Sequence, residues 1–389
     1  MSPLPERTDV VIVGGGITGT ALAYYLSGDL EVLLLERHTV ASGPTGHSTA
    51  IVRAHYSQRL LVEMAVLGLA VYGDFAHQVG GSCGFVRSGV LWLVGDEDRA
   101  ALEDNVALGA RAGAAVRLLE PKDLRAIDGR IALDGLAGAC WEPEGGYCDP
   151  YLAAAGFAQA ARQRGAIVHE QTPVLVVESG AVETAAGEVR ADAVVVAAGP
   201  WTPALLEPLG YRLPITPARA EVGRYRIPTA FGPPPPVLAE MGGARFYTKP
   251  GEAGFIEVGT LDPAHAHQPI DPDRCPEGAE PATLVGLERA LTARIPTLAG
   301  GHWRGAWSGV YDVTPDWQPA IGPIQKANGV YVAAGFSGHG FKLAPAVGRS
   351  LATHIRERRW DPFDLSLLDP SRFDRGELIE SRYGFSVVG

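Results

Sequence analysis

Cysteine is scarce in this chain, and cysteine in a recognisable spacing is missing. Four occur in 389 residues, at Cys83, Cys140, Cys148 and Cys275, and no two form a C-x-x-C pair. Such scatter fits reduced thiols in a cytoplasmic protein better than a disulfide framework or a zinc site. No run of roughly 18 or more apolar residues occurs, so no membrane span is expected. The stretch from Met1 to Asp9 has no apolar core ahead of the first strand-like run, so no secretory signal is expected either. Cations are in deficit: 33 Lys and Arg against 44 Asp and Glu, a formal charge of −11. Binding nucleic acid requires clustered cations against phosphate, so no nucleic-acid partner is expected. The one basic run, Arg356 to Arg359, sits in a helix-like segment and reads as a solvated helix end.

Glycine, in contrast, is in surplus. Average usage of about 7% would supply roughly 27 glycines, and the chain has 49. No Gly-X-Y period runs through it, which excludes collagen. With 46% hydrophobic and 20% charged residues the composition is that of a globular protein. At roughly 150 residues per domain, two to three domains are expected. The surplus glycines must therefore serve particular backbone positions.

Asp9 to Val13 is a short β-branched run that stops at glycine and reads as a buried parallel strand. Helix formers follow over Ile17 to Ser27, then a second apolar run from Glu31 to Glu36. This β-α-β order within about 30 residues is the size of one mononucleotide-binding unit. Ala193 to Ala198 and Val330 to Ala334 also stop at glycine. The pattern predicts one sheet assembled from separated segments. Between them, residues 85–93, 244–248 and 254–259 are strand-like in the manner of a mixed or antiparallel sheet, the last two as a hairpin. The proline run Pro233 to Pro236 is either a stiff connection or a ligand for a proline-binding domain.

Gly14-Gly15-Gly16-Ile17-Thr18-Gly19 fits G-x-G-x-x-G between a strand and a helix. Gly14 permits the tight turn, Gly16 lets backbone approach a pyrophosphate, and Gly19 allows close helix packing. The helix N-terminus offers free N–H groups and the positive end of its dipole. Glu36 ends the second strand at the spacing of an acid that holds a ribose hydroxyl, which argues against a 2′-phosphate and hence NADP. This fingerprint does not separate NAD from FAD. A Gly/Ser/Thr-rich run from Thr39 to Ala50 leads to Arg53, the one charge in an uncharged stretch. Gly335 to Pro345 forms a second glycine-rich strand-to-helix turn, which two-domain NAD enzymes do not need.

These segments resemble the FAD-dependent amine and amino-acid oxidoreductases of the D-amino-acid-oxidase type. The likeness is to the branch with monomeric sarcosine oxidase, the sarcosine oxidase β-subunit and dimethylglycine dehydrogenase. The matching pieces are GGGITG at 14–19, GPTGHSTAIVRAHY at 43–56, EPEGGYCDPY at 142–151, AAGPW at 197–201, VTPDWQPAIGP at 313–323 and GFSGHGFKLAPAVG at 335–348. The resemblance implies an α/β fold: a discontinuous FAD-binding Rossmann-like domain (1–84, 145–214, 315–389) interleaved with a smaller α+β substrate domain on a mixed or antiparallel sheet (85–144, 215–314). It assigns FAD contacts to Gly14, Gly16, Ile17, Thr18, Gly19, Glu36, Arg37, Ser42, Thr45, Gly46 and His47. It adds Val174 beside the adenine, Ala198 and Gly199 beside the pyrophosphate, and Gly338, His339, Gly340, Phe341 and Lys342 around the flavin's pyrimidine edge. Arg53 and Lys342 match the cations that hold a substrate carboxylate; Tyr247 and Tyr311 match tyrosines of the substrate pocket. A buried carboxylate needs paired cations, and arginine offers a planar two-point clamp. Arg53 paired with a structural acid, and either tyrosine as a core aromatic, are the bland readings.

The sequence also departs from its relatives. Gly309 stands where some sarcosine oxidases tether FAD through cysteine. His47 stands where dimethylglycine dehydrogenase carries its flavin-linked histidine, so non-covalent FAD is favoured and a link through His47 stays open. Glu257 replaces the lysine that activates oxygen. His265 and His267 form an H-x-H read as loop residues, and no metal is expected. The implied activity is oxidation of the C–N bond of a small amino acid or N-methyl amino acid by hydride transfer to flavin N5, giving an imine that hydrolyses. The electrons would pass to oxygen or another acceptor. The alternatives are a hydroxy-acid substrate, or a flavin-bearing subunit that works with a partner.

Overall fold

The computed structural model describes residues 3–252, 254–264 and 269–384; His265 and His267 lie outside the described residues. The β-branched run near the start forms the strand Arg7–Val13, and its sheet unites the other runs that stop at glycine. Gly187–Val196 lies parallel on one side of it and Val32–Leu35 on the other. Val330–Ala334 extends the sheet past Gly187–Val196, and Ile167–His169 extends it past Val32–Leu35, both parallel. Ala320–Pro323 closes one edge antiparallel, and the hairpin of Val174–Glu178 with Ala181–Thr184 pairs antiparallel with Gly187–Val196. The expected single sheet from distant segments is present.

A parallel sheet must be covered on both faces, and successive side chains alternate between them. Val10, Ile12 and Leu34 enter one core with Ala21, Leu22, Phe157 and Val347. Val11, Val13, Leu33 and Leu35 enter the other with Val177, Val182, Leu206 and Tyr211. Full burial of such a side chain stabilises by about 1.5–3 kcal/mol, so the strands are held firmly where they end in glycine turns. Helix Ile17–Leu26 packs against both Pro150–Gln163 and Ala344–Glu357. The last of these ends as the basic run suggested, with Arg358 left-handed at its C-cap and Arg356 paired to Asp29.

The second sheet runs in the order His302–Val313, Thr216–Arg226, Phe255–Thr260, Phe246–Pro250, Val237–Glu240, Val90–Val94, Gly138–Glu142, Arg117–Leu119. It is mixed, because Val237–Glu240 and Val90–Val94 pair in parallel while the rest are antiparallel. The expected hairpin is Phe246–Pro250 with Phe255–Thr260. The strand expected over 85–93 begins only at Val90, since Gly89 has φ +72° and breaks the extended backbone; Val86 makes an isolated bridge to Tyr147. Leu91, Leu93, Ile256 and Val258 pack under helix Pro281–Arg294 through Leu287 and Leu291. Val90, Trp92, Val237, Ala239 and Tyr247 occupy the opposite face, which looks onto a large cavity. Cys83 and Cys148, distant in sequence, are buried with their Sγ atoms 3.9 Å apart and no disulfide.

Candidate active site

The cavity has a volume of about 1190 Å³ and takes its walls from both sheets. Small-ligand pockets span roughly 300–1,000 Å³, so there is room for an extended ligand together with a small second one. At one end lies the first glycine turn. Gly14 has φ +113°, and a Cβ there would sit 2.4 Å from the Ala197 carbonyl oxygen; a Cβ on Gly19 would sit 2.0 Å from the Gly14 oxygen. Only glycine fits either place. Gly16 caps helix Ile17–Leu26 without a side-chain hydrogen bond, and Ile17 N–H donates to Thr45 Oγ1 at 3.0 Å. The Glu36 carboxylate accepts from the backbone N–H groups of Gly15 (2.7 Å) and His38 (2.8 Å) while also lining the cavity. It therefore braces the turn, a role the spacing rule did not reveal.

Nearby, the Arg37 guanidinium lies 3.9 Å over the Trp201 ring, and Asp273 accepts from Arg37 Nη1 (2.8 Å) and Trp201 Nε1 (2.9 Å). Sequence reasoning quoted Trp201 only as part of AAGPW and missed Asp273. Every residue expected at the cofactor lines the cavity except Gly19, Gly46 and His339. Gly46 is pressed against Ala41 and Tyr151. His339 is 1% exposed in the wall, with Nε2 2.7 Å from the Trp317 carbonyl and Nδ1 3.4 Å from the Tyr56 hydroxyl.

The other end carries the cations. Arg53 and Lys342 are 4% and 5% exposed and line the cavity together with Tyr247 and Tyr311. Arg53 lies between the rings of Tyr56 (4.4 Å) and Trp92 (4.7 Å) and donates to the His55 carbonyl. Burial, then the neighbouring Arg53, hold the Lys342 ammonium well below the usual lysine range, while Glu142 acts the other way. Burial likewise raises the Tyr247 phenol well above its ordinary range and pushes Tyr311 up to about 12. Asp312, raised to about 6 by burial, accepts the Gly335 N–H at 2.7 Å and ties strand His302–Val313 to the second glycine turn.

His47 and Gly309 meet on the cavity wall: a Cβ on Gly309 would lie 3.0 Å from His47 Cβ, and His47 Nδ1 is 3.1 Å from the Gly43 carbonyl. Glu257 pairs with Lys249 across the hairpin at 2.8 Å, outside the lining of the cavity. Sequence reasoning missed Trp92 and also Gly68, whose Cβ would sit 2.0 Å from the Lys342 carbonyl oxygen. A glycine inside an apolar helical run was the available signal for the latter. Among the described residues no cluster of three or more His, Cys, Asp or Glu could hold a metal, and no helix is long and apolar enough to cross a membrane.

The profile of the family described as "DAO: FAD dependent oxidoreductase" matches residues 9–354. The chain is 30% identical to FAD-dependent oxidoreductase domain-containing protein 1 of Bos taurus, over 96% of this chain and 86% of that one. It is 27% identical to glycine oxidase of Geobacillus kaustophilus, over 93% and 96%. Among solved structures, L-proline dehydrogenase from P. horikoshii matches with a TM-score of 0.88 at 28% identity, covering 97% of this chain and 100% of that one.

Proposed function

Because the chain belongs to the DAO family of FAD-dependent oxidoreductases, we propose that it oxidises the C–N bond of a small amino acid or N-methyl amino acid, of the sarcosine, glycine or proline kind. The observation that carries this reading is the pair of buried cations, Arg53 and Lys342, on the cavity wall beside Tyr247 and Tyr311. Two fixed cations in a low-dielectric pocket suit a carboxylate, and arginine's fork fixes its orientation.

The residues present fit FAD. Gly14 and Gly19 have no room for a side chain, Gly16 itself gives the helix N-terminus no side-chain cap, and the cavity continues past it toward Lys342. Gly14, Gly16 and Thr45 would border the pyrophosphate, Glu36 and Arg37 the adenosine, and Gly338, Gly340, Phe341 and Lys342 the ring system. Bound FAD supplies the two-electron acceptor for the substrate's C–H bond. The protein's share is to fix the carboxylate, to exclude water and to favour the neutral amine, since burial and two nearby cations both disfavour its charged form. The resulting imine hydrolyses in water.

Non-covalent FAD is part of the reading: Gly309 offers no thiol, and the His47 ring is engaged with the Gly43 carbonyl. So is the division into a cofactor domain (1–84, 145–214, 315–389) and a substrate domain (85–144, 215–314), supported by the strand membership of the two sheets. A cytoplasmic setting is supported by cysteines that are all free. Oxygen or another electron acceptor completes the turnover.

The test is anaerobic titration of the purified, yellow protein with sarcosine, glycine, proline and D-alanine. Loss of the flavin absorbance with at least one of them is expected; a flavin that none of them reduces rejects the amino-acid reading. Arg53→Ala should raise KM by about a hundredfold, the scale of a lost charge-assisted pair, with flavin content retained. Acid precipitation should release the yellow colour to the supernatant; colour kept in the pellet means a covalent link.

A further inference from the structure

One row of paired positions crosses the second sheet on its cavity face. Trp92 pairs with Ala239, Ala239 with Tyr247, and Tyr247 with Gly259. Directly paired residues point to the same face of a sheet, so the row reads large, small, large, small. The two small residues serve different ends. A Cβ on Gly259 would lie 2.5 Å from Cε1, Cζ and the hydroxyl oxygen of Tyr247, so the Tyr247 ring leans across Gly259 and away from Ala239. The space over Ala239 is thereby left open between two aromatic side chains whose strands stand two spacings, roughly 10 Å, apart. Trp92, Ala239 and Tyr247 all line the cavity.

This gap is apolar and adjoins the proposed carboxylate site. Val90 and Val237, paired with each other two residues before Trp92 and Ala239, extend it along the strands and also line the cavity. Leu261 belongs to the same hydrophobic cluster and faces the same cavity. The Arg53 guanidinium lies 4.7 Å over the ring of Trp92, which forms one wall of the gap. Lys249 and Glu257, two residues along from Tyr247 and Gly259, are joined to each other at 2.8 Å and lie outside the cavity lining.

We propose that the gap over Ala239 receives the carbon body of the substrate. The substrate is then an amino acid with an uncharged aliphatic body about the size of a proline ring, in preference to glycine or sarcosine. The inference rests on the assignment of the carboxylate to Arg53 and Lys342 made above, and it adds what the rest of the molecule must be. Each further carbon buried against Val90, Val237 and Ala239 tightens binding roughly fourfold, whereas glycine leaves the gap unfilled. A second carboxylate or an ammonium on the body would be buried in this row without a charged partner, which is costly. Ala239 is the specificity-determining position, and Gly259 acts through Tyr247 as a positioning residue.

The experiment titrates the FAD-loaded protein with two non-reducing monocarboxylates, acetate and cyclopentanecarboxylate, read from the flavin's visible spectrum. The two carry the same charge and differ by four carbons, so the ring compound should bind about a hundredfold tighter. Arg53→Ala should weaken the response to both. Ala239→Leu fills the gap and should lower the ratio of the two affinities by about tenfold or more. Should that variant not retain flavin, Gly259→Ala, which forces the Tyr247 ring back toward Ala239, should lower the same ratio. A wild-type ratio near one, or a ratio that neither variant changes, overturns the gap as the place of the carbon body; if both ligands still depend on Arg53, the carboxylate clamp stands. Glycine reducing the flavin as efficiently as proline overturns the size preference. A wild-type protein with no Arg53-dependent acetate response overturns the clamp itself, and this inference with it.

Discussion

His55 and His339 lie in the wall behind the proposed carboxylate site, and burial holds both down to about 3 from the ordinary 6.5. Burial first, and then the neighbouring cations, keep each ring neutral. His339 Nε2–H donates to the Trp317 carbonyl at 2.7 Å, and His55 Nε2 is 2.8 Å from the Tyr383 hydroxyl. The unfolded chain binds protons at both histidines below about pH 6.5 while the folded chain does not, so their contribution to stability is lost as pH falls toward 3. Asp312 acts in the opposite sense: raised to about 6, it makes the folded state more stable as pH falls from 6 toward 4. Two histidines with the larger displacement outweigh one aspartate. The melting temperature should therefore drop on acidification below about pH 6.5, and His339→Gln should make that drop shallower. A variant whose pH slope equals that of wild type would show that the histidine does not titrate with folding.

Lys342 owes its place to a helix remote in sequence. Arg59–Gly73 presents Gly68 and Tyr72, four residues apart and so on one face, to the turn Phe341–Leu343. Gly68 lets the Lys342 carbonyl approach, and the Tyr72 hydroxyl donates to the Phe341 carbonyl at 2.7 Å. A methyl at Gly68 has no space, because the Lys342 oxygen would lie 2.0 Å from it. Gly68→Ala should cost about 1–3 kcal/mol in urea unfolding, as overpacking does. It should also weaken the acetate response more than it lowers flavin content, since the displaced turn carries the cation. Equal affinity for acetate in the variant would mean that the turn absorbs the methyl without moving Lys342.

The C-terminal segment is anchored to the centre of the protein by one buried ion pair. Arg372 Nε and Nη2 lie 2.9 and 3.0 Å from the two oxygens of Asp316, and their side chains are 2% and 0% exposed. Asp316 also accepts the backbone N–H groups of Gln318 (3.0 Å) and Ile379 (3.2 Å). Both charges are fully satisfied, so removal of one strands the other. Arg372→Ala should cost about 3–5 kcal/mol of unfolding free energy, and a joint apolar replacement of Arg372 and Asp316 should recover much of that. A single variant as stable as wild type would mean that water reaches the pair. The same C-terminal segment continues to Tyr383, which meets His55, so a chain end distant from the cofactor turns supports the backbone beside Arg53.

The glycine surplus was readable as chemistry because its rules are local. A turn at Gly14 with φ +113°, a helix that starts at Gly16 and an acid at Glu36 are dictated by backbone sterics, free N–H groups and strand length. The unbroken apolar runs Val10 to Val13 and Leu33 to Leu35 likewise announced strands buried on both faces. The carboxylate site was readable only in part. Arg53 and Lys342 stand out as isolated charges in apolar stretches, but nothing in the order of residues shows that they share a cavity wall. Nor does it show that Glu142 and Trp92 converge on Arg53, that Gly68 makes room for Lys342, or that Asp273 reaches Arg37 and Trp201. Each of these joins segments tens to hundreds of residues apart, and the joining depends on how two sheets pack around one cavity. Bond geometry and the pleat act over a few residues. The balance of buried charge acts across space, and it exists only once the chain has folded.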